Sequence, residues 1–357
     1  MSVPKNHLKT KVLFILGGRA SKILDPLKES KKIEPLVLPS ETKIRLLNFL
    51  KLFIYSLKVR PALVLTDSLQ FMAFESFLIS KFLNIPFVIR LRGDPWQETK
   101  EDVIVRETKI KFIKKFKIYI KKILGNFSVK RADKIIVVSY FLKKLILKKI
   151  NYPPDKITKI PLMFKPAQPK DISKFKKEII ITSVSNLVYY QKTLGLIKIL
   201  PVMDQILSKY KKTRYLIAGG GTYLENLSRE IKKMLNADRI NLLGQTKNIQ
   251  ELYEKTDIFV HYSFFDAFPN VVLEAKSYGI PVIVNNLGGM VEQVNSQVDG
   301  FIINDEKELK EKLELLIVDE KLRKELGANG RNDIKNYSGK NITERFEEEL
   351  LGQLNNG

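Results

Sequence analysis

Short runs of β-branched and other apolar residues recur along the chain, separated by longer stretches whose apolar positions fall three and four apart. In the first half, Val12–Leu16, Leu63–Thr66, Phe87–Leu91 and Ile135–Ser139 have the continuous apolar character of strands covered on both faces. Between them, Thr42–Val59 and Phe71–Leu83 keep helical spacing. The second half repeats the scheme with Ile179–Val184, Tyr215–Ala218, Ile240–Leu243, Ile258–His261, Pro281–Val284 and Phe301–Ile303. Strands alternating with helices predict an α/β protein built on parallel sheets with helices on both faces.

The alternation is interrupted once. Ile160–Pro169 holds three prolines and no helical period, and proline fixes φ while removing a hydrogen-bond donor. The segment therefore reads as a connector, with the boundary near Lys165. The expected organisation is a first domain over 1–165, a second over 166–340, and a helix over 341–357 packing back on the first. A length of 357 residues suits two doubly wound domains. Ligands of such sheets gather outside the carboxyl ends of the strands, so a cleft between the two domains is the expected site.

Composition narrows the function. With 44% hydrophobic and 28% charged residues, the chain is a folded globular protein rather than a disordered one. It has no cysteine, which excludes disulfides, zinc–thiolate sites and cysteine nucleophiles. The apolar run Val12–Leu16 is too short for a secretory signal, and no stretch approaches the ~18 apolar residues of a membrane span. A cytoplasmic protein is the expectation. The net charge of +23 favours an anionic partner: nucleic acid, acidic lipid headgroups or a phosphorylated substrate. A lysine-rich solvated surface would produce the same excess.

The segment His261–Val282 carries the densest chemistry. Asp266 lies in a loop after a strand, Pro269 suits a first helical turn, and Gly279 and Pro281 stop the helix. Asn270, Glu274 and Ser277 share one helix face, while Val271, Val272 and Ala275 can pack inward. The free N–H groups at such a helix start suit a phosphate. Upstream, Val184–Ile197 leaves another strand and contains Asn186 and Lys192. Tyr215–Gly221 is a strand running into Gly219, Gly220 and Gly221, and Asn285–Glu292 contains a Gly-Gly-x-x-Glu element. Early in the chain, Gly17 and Gly18 end the first strand, as a tight turn or a place for close ligand approach.

This set resembles glycosyltransferase family 4, in which two acids separated by seven residues follow the pattern Glu-Gly-Phe, an apolar helix and Glu-Ala. Phe268, Glu274, Ala275, Gly279 and Pro281 match; Asp266 stands for the first Glu and Ala267 for the Gly. Lys192 matches the family's diphosphate-gripping lysine, whereas Asn186 stands where an Arg is usual. The likeness runs from about Ile180 to Ile303 and is only architectural before that. It implies the GT-B fold of two Rossmann-like domains facing a cleft. It also implies transfer of a sugar, with retained anomeric configuration, from a nucleoside-diphosphate sugar.

The implied roles follow residue by residue. Asp266 orients the donor sugar, Glu274 binds the nucleotide ribose, and Lys192 stabilises the departing diphosphate. Asn186, Gly219, Gly220, Phe268, Pro269, Asn270 and Val271 line the donor site. Gly17, Gly18, Arg92 and Asp94 lie on the acceptor side, with a structural Arg92–Asp94 pair as the bland reading of the last two. No metal and no other cofactor is expected, because lysine and backbone amides meet the diphosphate charge.

The stretch Lys109–Leu124 adds one further element. Ile113, Phe116, Ile120 and Leu124 share one helical face and Lys111, Lys114, Lys117 and Lys121 another. Such a helix either packs its apolar stripe on its own domain or lies on an anionic membrane, which would place the enzyme peripherally on the inner membrane face. Family members using lipid-linked acceptors favour the second. A nucleotide-sugar epimerase of the same fold and a basic nucleic-acid-binding protein are the rival readings. No nucleic-acid partner is expected.

Overall fold

The computed structural model describes residues 9–16, 24, 27, 30–37, 45–67, 69, 71–97, 112–167, 178–246, 248–337 and 340–354. The chain divides into two compact units. The first runs to Met163 and takes in the C-terminal helix; the second begins at Phe164.

The first unit is built on β1 (Thr10–Ile15), β2 (Ile33–Val37), β3 (Leu63–Thr66), β4 (Phe87–Leu91), β5 (Lys134–Val137) and β6 (Ile157–Lys159). Their order across the sheet is β2-β1-β3-β4-β5-β6, with every pair parallel. The central β3 and β4 are buried throughout, which is why they read as apolar runs broken only by Thr66 and Arg90. β2 and β6, the edges of this sheet, escape the apolar pattern because Glu34 and Pro35 interrupt the first and the second has only three residues, two of them polar. β2 carries Pro35 inside it, which an edge strand tolerates since only one of its sides is paired. The strand expected over Ile135–Ser139 stops at Val137. Ser139 instead caps the helix Tyr140–Lys149, its hydroxyl accepting from the Leu142 N–H at 3.3 Å.

The second unit contains β7 (Ile179–Val184), β8 (Thr213–Ala218), β9 (Ile240–Gly244), β10 (Ile258–His261), β11 (Val282–Asn285) and β12 (Gly300–Ile303). The order is β12-β11-β10-β7-β8-β9, again all parallel. Strand order reverses between β7 and β10. The loops leaving those two strands therefore part to opposite faces and open a crevice at their carboxyl ends. The helix Tyr190–Lys209 buries Leu196, Ile199, Leu200, Met203 and Ile206 against Ile181, Tyr215 and Ile217 of the sheet, at the three-and-four spacing legible in the sequence.

The C-terminal helix Lys340–Gly352 places Ile342, Phe346 and Leu350, four residues apart, in one cluster with Val12, Phe14, Leu63, Leu65 and Ile136 of the first unit. Among the described residues, no helix is long and apolar enough to cross a membrane.

Candidate functional site

Asp266 and Lys192 come together at the point where the second sheet reverses its order. Asn285, ending β11, pins the chain leaving β10: its Oδ1 accepts from the Ser263 N–H at 2.9 Å and its Nδ2 donates to the Ser263 carbonyl at 3.1 Å. Three residues on, the Asp266 carbonyl accepts from the Gly289 N–H at 3.2 Å. Lys192 lies in the first turn of the helix after β7. One turn further along, the helix sits hard against the end of β10, since a Cβ at Gly195 would stand 2.3 Å from the Tyr262 carbonyl oxygen. Only glycine permits this approach.

The Lys192 Nζ consequently reaches the Asp266 Oδ1 at 2.6 Å, while the His261 Nε2 lies 3.0 Å from the Oδ2. The Lys192 Nζ also lies 5.6 Å from the Tyr189 ring centre and 5.9 Å from that of Phe265. Burial opposes ionisation of Asp266. The charge of Lys192 and the hydrogen bond from His261 outweigh it and hold the carboxyl well below the usual carboxylate range.

A group whose folded pKa is depressed stabilises the fold above its unfolded value, and that stability is lost as pH falls. Asp266→Asn is therefore expected to flatten the acid limb of the stability curve below about pH 5, where the unfolded carboxyl begins to bind protons. Urea titrations at descending pH measure this; an acid limb as steep as that of the wild type would contradict it.

Glu274 lies on the helix Asn270–Ser277, which begins four residues after Asp266. Pro269 occupies the N-cap and needs no N–H there, while Val272, Leu273 and Ala275 are buried. The Tyr253 hydroxyl donates to the Glu274 Oε2 at 2.9 Å, and the Tyr253 ring stacks on Tyr278 at 5.3 Å. Burial, reinforced by Glu274, pushes the Tyr253 hydroxyl well above its ordinary pKa, so it stays a donor. Phe268 and Pro269 are buried. The Phe268 ring lies 5.9 Å from that of Tyr337, and the Pro269 carbonyl accepts from the Gln293 Nε2 at 3.1 Å. Asn270 and Val271 are half-buried in the first helical turn.

The glycine turn after β8 is joined to the loop after β7. Gly219, at φ +150°, donates to the Gly244 carbonyl, and Gly220 accepts from the Leu187 N–H at 3.1 Å. A Cβ on Gly219 would stand only 1.8 Å from the Ser185 carbonyl oxygen. Asn186 is exposed, and its Oδ1 accepts from the Val188 N–H at 3.1 Å, closing its own loop.

The remaining candidates belong to the first unit. The Arg92 Nη2 pairs with the buried Asp67 at 2.5 Å. Asp94 accepts from the Trp96 and Gln97 N–H groups at 2.9 and 3.0 Å, capping its own turn. Gly17, Gly18 and Lys111 lie outside the described residues, as do the side chains of Lys114 and Lys117.

Three residues of the site carry structure that motif reading passed over. His261 contacts Asp266, and Tyr253 contacts Glu274. Lys276 is fully buried, its Nζ donating to the Gln293 carbonyl at 2.7 Å, Asp299 at 3.0 Å and Asp333 at 2.6 Å. The signal for Lys276 was present: it falls four residues after Val272, on the inward stripe of the helix. Among the described residues, no group of three or more His, Asp or Glu side chains is placed to hold a metal ion.

Residues 164–333 match the family model of glycosyl transferases group 1. Over 137 residues, 38% of this chain and 36% of its relative, the sequence is 36% identical to the N,N'-diacetylbacillosaminyl-diphospho-undecaprenol alpha-1,3-N-acetylgalactosaminyltransferase of Campylobacter jejuni. Over 229 residues, 63% of this chain and 50% of its relative, it is 28% identical to the phosphatidylinositol N-acetylglucosaminyltransferase gpi3 subunit of Schizosaccharomyces pombe. The chain thus spans about a third to a half of the length of these curated relatives. The crystal structure of Anabaena HepE with UDP-glucose superimposes with a TM-score of 0.75 at 18% identity, covering 96% of this chain and all of that one. This likeness shows the fold, which is GT-B.

Proposed function

We propose that this chain, whose residues 164–333 form a glycosyl transferases group 1 domain, transfers a hexose-type sugar from a nucleoside-diphosphate donor to a lipid-linked acceptor with retained configuration. The observation that carries the reading is the pairing of Lys192 with Asp266 at the reversal of strand order, beside the helix bearing Glu274. A Lys ammonium has three donors, so Lys192 can keep Asp266 and still meet a diphosphate oxygen; its side chain is 17% exposed. Negative charge growing on the leaving diphosphate is met by this ammonium and by the first-turn amides of the helix Asn270–Ser277. Glu274, held by Tyr253, accepts hydrogen bonds from the ribose, and Asp266 those of the sugar hydroxyls. The loops of Asn186, Gly219 and Gly220 border the nucleotide. No protein nucleophile is assigned: the leaving phosphate takes the acceptor's proton on the face it departs from.

The acceptor class rests on the names of the two relatives, one acting on a diphospho-undecaprenol and the other on phosphatidylinositol. Arg92 and Asp94 are the acceptor-side candidates. UDP-glucose is the first donor to test, since it is bound in HepE. An enzyme of this kind works peripherally on the inner membrane face.

Thermal unfolding in the presence of nucleotide sugars tests the reading. A donor at a hundred times its Kd adds ~2.7 kcal/mol to the native state, and at least one UDP-sugar is expected to raise the Tm by several degrees. If no nucleoside-diphosphate sugar moves it, the donor site is wrong. If donor is converted to its epimer with no acceptor present, the reaction is wrong.

A further inference from the structure

The first unit carries an apolar surface that its own fold does not use. The helix Arg45–Val59 already buries Leu52 and packs Phe49 and Phe53 on the cluster of Leu13, Ile15, Val64 and Ile79. Its opposite face should be polar. Instead Leu46 is 67% and Ile54 64% exposed, and Leu47, Leu50 and Leu57 are exposed with them. Leu47, Leu50, Ile54 and Leu57 follow a three-four-three spacing, so they form one stripe.

The stripe continues onto the neighbouring helix Phe71–Leu83. There Phe82 is 65% exposed, its ring 4.8 Å from that of Phe53 in an edge-on contact, and Leu78 is exposed beside it. The helix Phe112–Arg131 packs against the other side of Phe71–Leu83 through Phe127, and adds exposed Tyr119 and Ile123. Exposed Lys51, Lys58, Arg60, Lys81 and Lys122 accompany these residues. Neither Arg45–Val59 nor Phe112–Arg131 contains an acid.

We propose that this face, with the stripe Leu47, Leu50, Ile54 and Leu57 at its centre, docks on an anionic lipid bilayer, its leucines entering the headgroup–acyl boundary and its lysines meeting the headgroups. Aliphatic side chains flanked by lysine suit that interface. A second copy of the chain would bring like charge against like charge, in a protein of net charge +23. Nucleic acid would call for a row of exposed rings to stack on bases, whereas the central stripe is aliphatic and the Phe82 ring is turned edge-on to Phe53. The use of the surface, to bring the enzyme to a lipid-linked acceptor, rests on the reading above; the surface itself rests on its own residues. It shifts the principal membrane contact from the lysine-rich helix to Arg45–Val59.

Flotation with phosphatidylcholine–phosphatidylglycerol vesicles, against phosphatidylcholine alone, is the test. The wild-type chain is expected to float with the anionic vesicles only. Leu50→Ser/Ile54→Ser, which alters exposed positions, is expected to lower vesicle binding at least about tenfold, and Lys51→Glu/Lys58→Glu likewise. Both variants are expected to keep the wild-type melting temperature and its shift with UDP-sugars. Wild-type protein that stays unbound, variants that float like wild type, or a concentration-dependent dimer abolished by Ile54→Ser would each overturn the proposal. Flotation without any nucleotide-sugar shift would instead strike at the donor reading and leave the surface standing.

Discussion

Glu274→Gln is expected to lower kcat/KM by about a hundredfold to a thousandfold. A carboxylate accepting two ribose hydroxyls contributes about 1.5–3 kcal/mol per charged hydrogen bond, so losing both would cost roughly two to four powers of ten in rate, and glutamine, which keeps one acceptor oxygen, is expected in the lower part of that range. Glutamine is the informative substitution. The Tyr253 hydroxyl donates to Glu274 from a buried position, and alanine would leave that donor unsatisfied. The amide oxygen of glutamine preserves the acceptor for Tyr253, so the fold is kept while the charge is removed. Steady-state kinetics alongside a melting curve separate the two effects. A variant with wild-type melting and kcat/KM within a few-fold of the parent would remove Glu274 from the donor site.

Lys276→Met is expected to cost about 3–5 kcal/mol of stability, the usual range for removing one partner of a buried ionic group. Lys276 is wholly buried, and so is the Asp299 carboxylate it meets. Without the ammonium, Asp299 and Asp333 would face each other across an apolar gap with no cation between them. Methionine fills most of the volume, so the loss would come from the charges rather than from a cavity. The three acceptors come from a loop at Gln293, the turn at Asp299 and the end of the helix Glu320–Asp333, and Lys276 ties all three to the helix that carries Glu274. For a unit of this size the change corresponds to a drop of roughly 10 °C in Tm. A melting temperature within two degrees of the parent would show that the triad is not a fastening. Asp299→Asn in the same background is expected to recover part of the loss, since it removes one stranded charge.

Much of the fold was written in one-dimensional pattern. β3, β4, β7 and β10 run where predominantly apolar stretches begin and end, because a strand covered on both faces is largely apolar, and the polar residues within them, Thr66, Arg90, Thr182, Ser183 and His261, are themselves buried. β2 and β6 were not legible, because Glu34 and Pro35 interrupt the one and the other is three residues long with two of them polar. Ser139 shows the limit at element ends: an apolar run continues into it, while its hydroxyl is needed to cap the next helix.

At the site, the sequence alone determined which residue types stand at the ends of β7 and β10: a lysine, an aspartate, and a glutamate on a short helix opened by proline. Local chemistry is enough for that, since turns, caps and helix stops depend on near neighbours. Tertiary structure alone decided who meets whom. Lys192 and Asp266 are 74 residues apart in the chain and are joined because Gly195 lets one helix press against the end of β10. His261 under Asp266, Tyr253 under Glu274 and the burial of Lys276 were decided in the same way. A polar side chain's partner is set by the packing of distant elements, and no local periodicity carries that information.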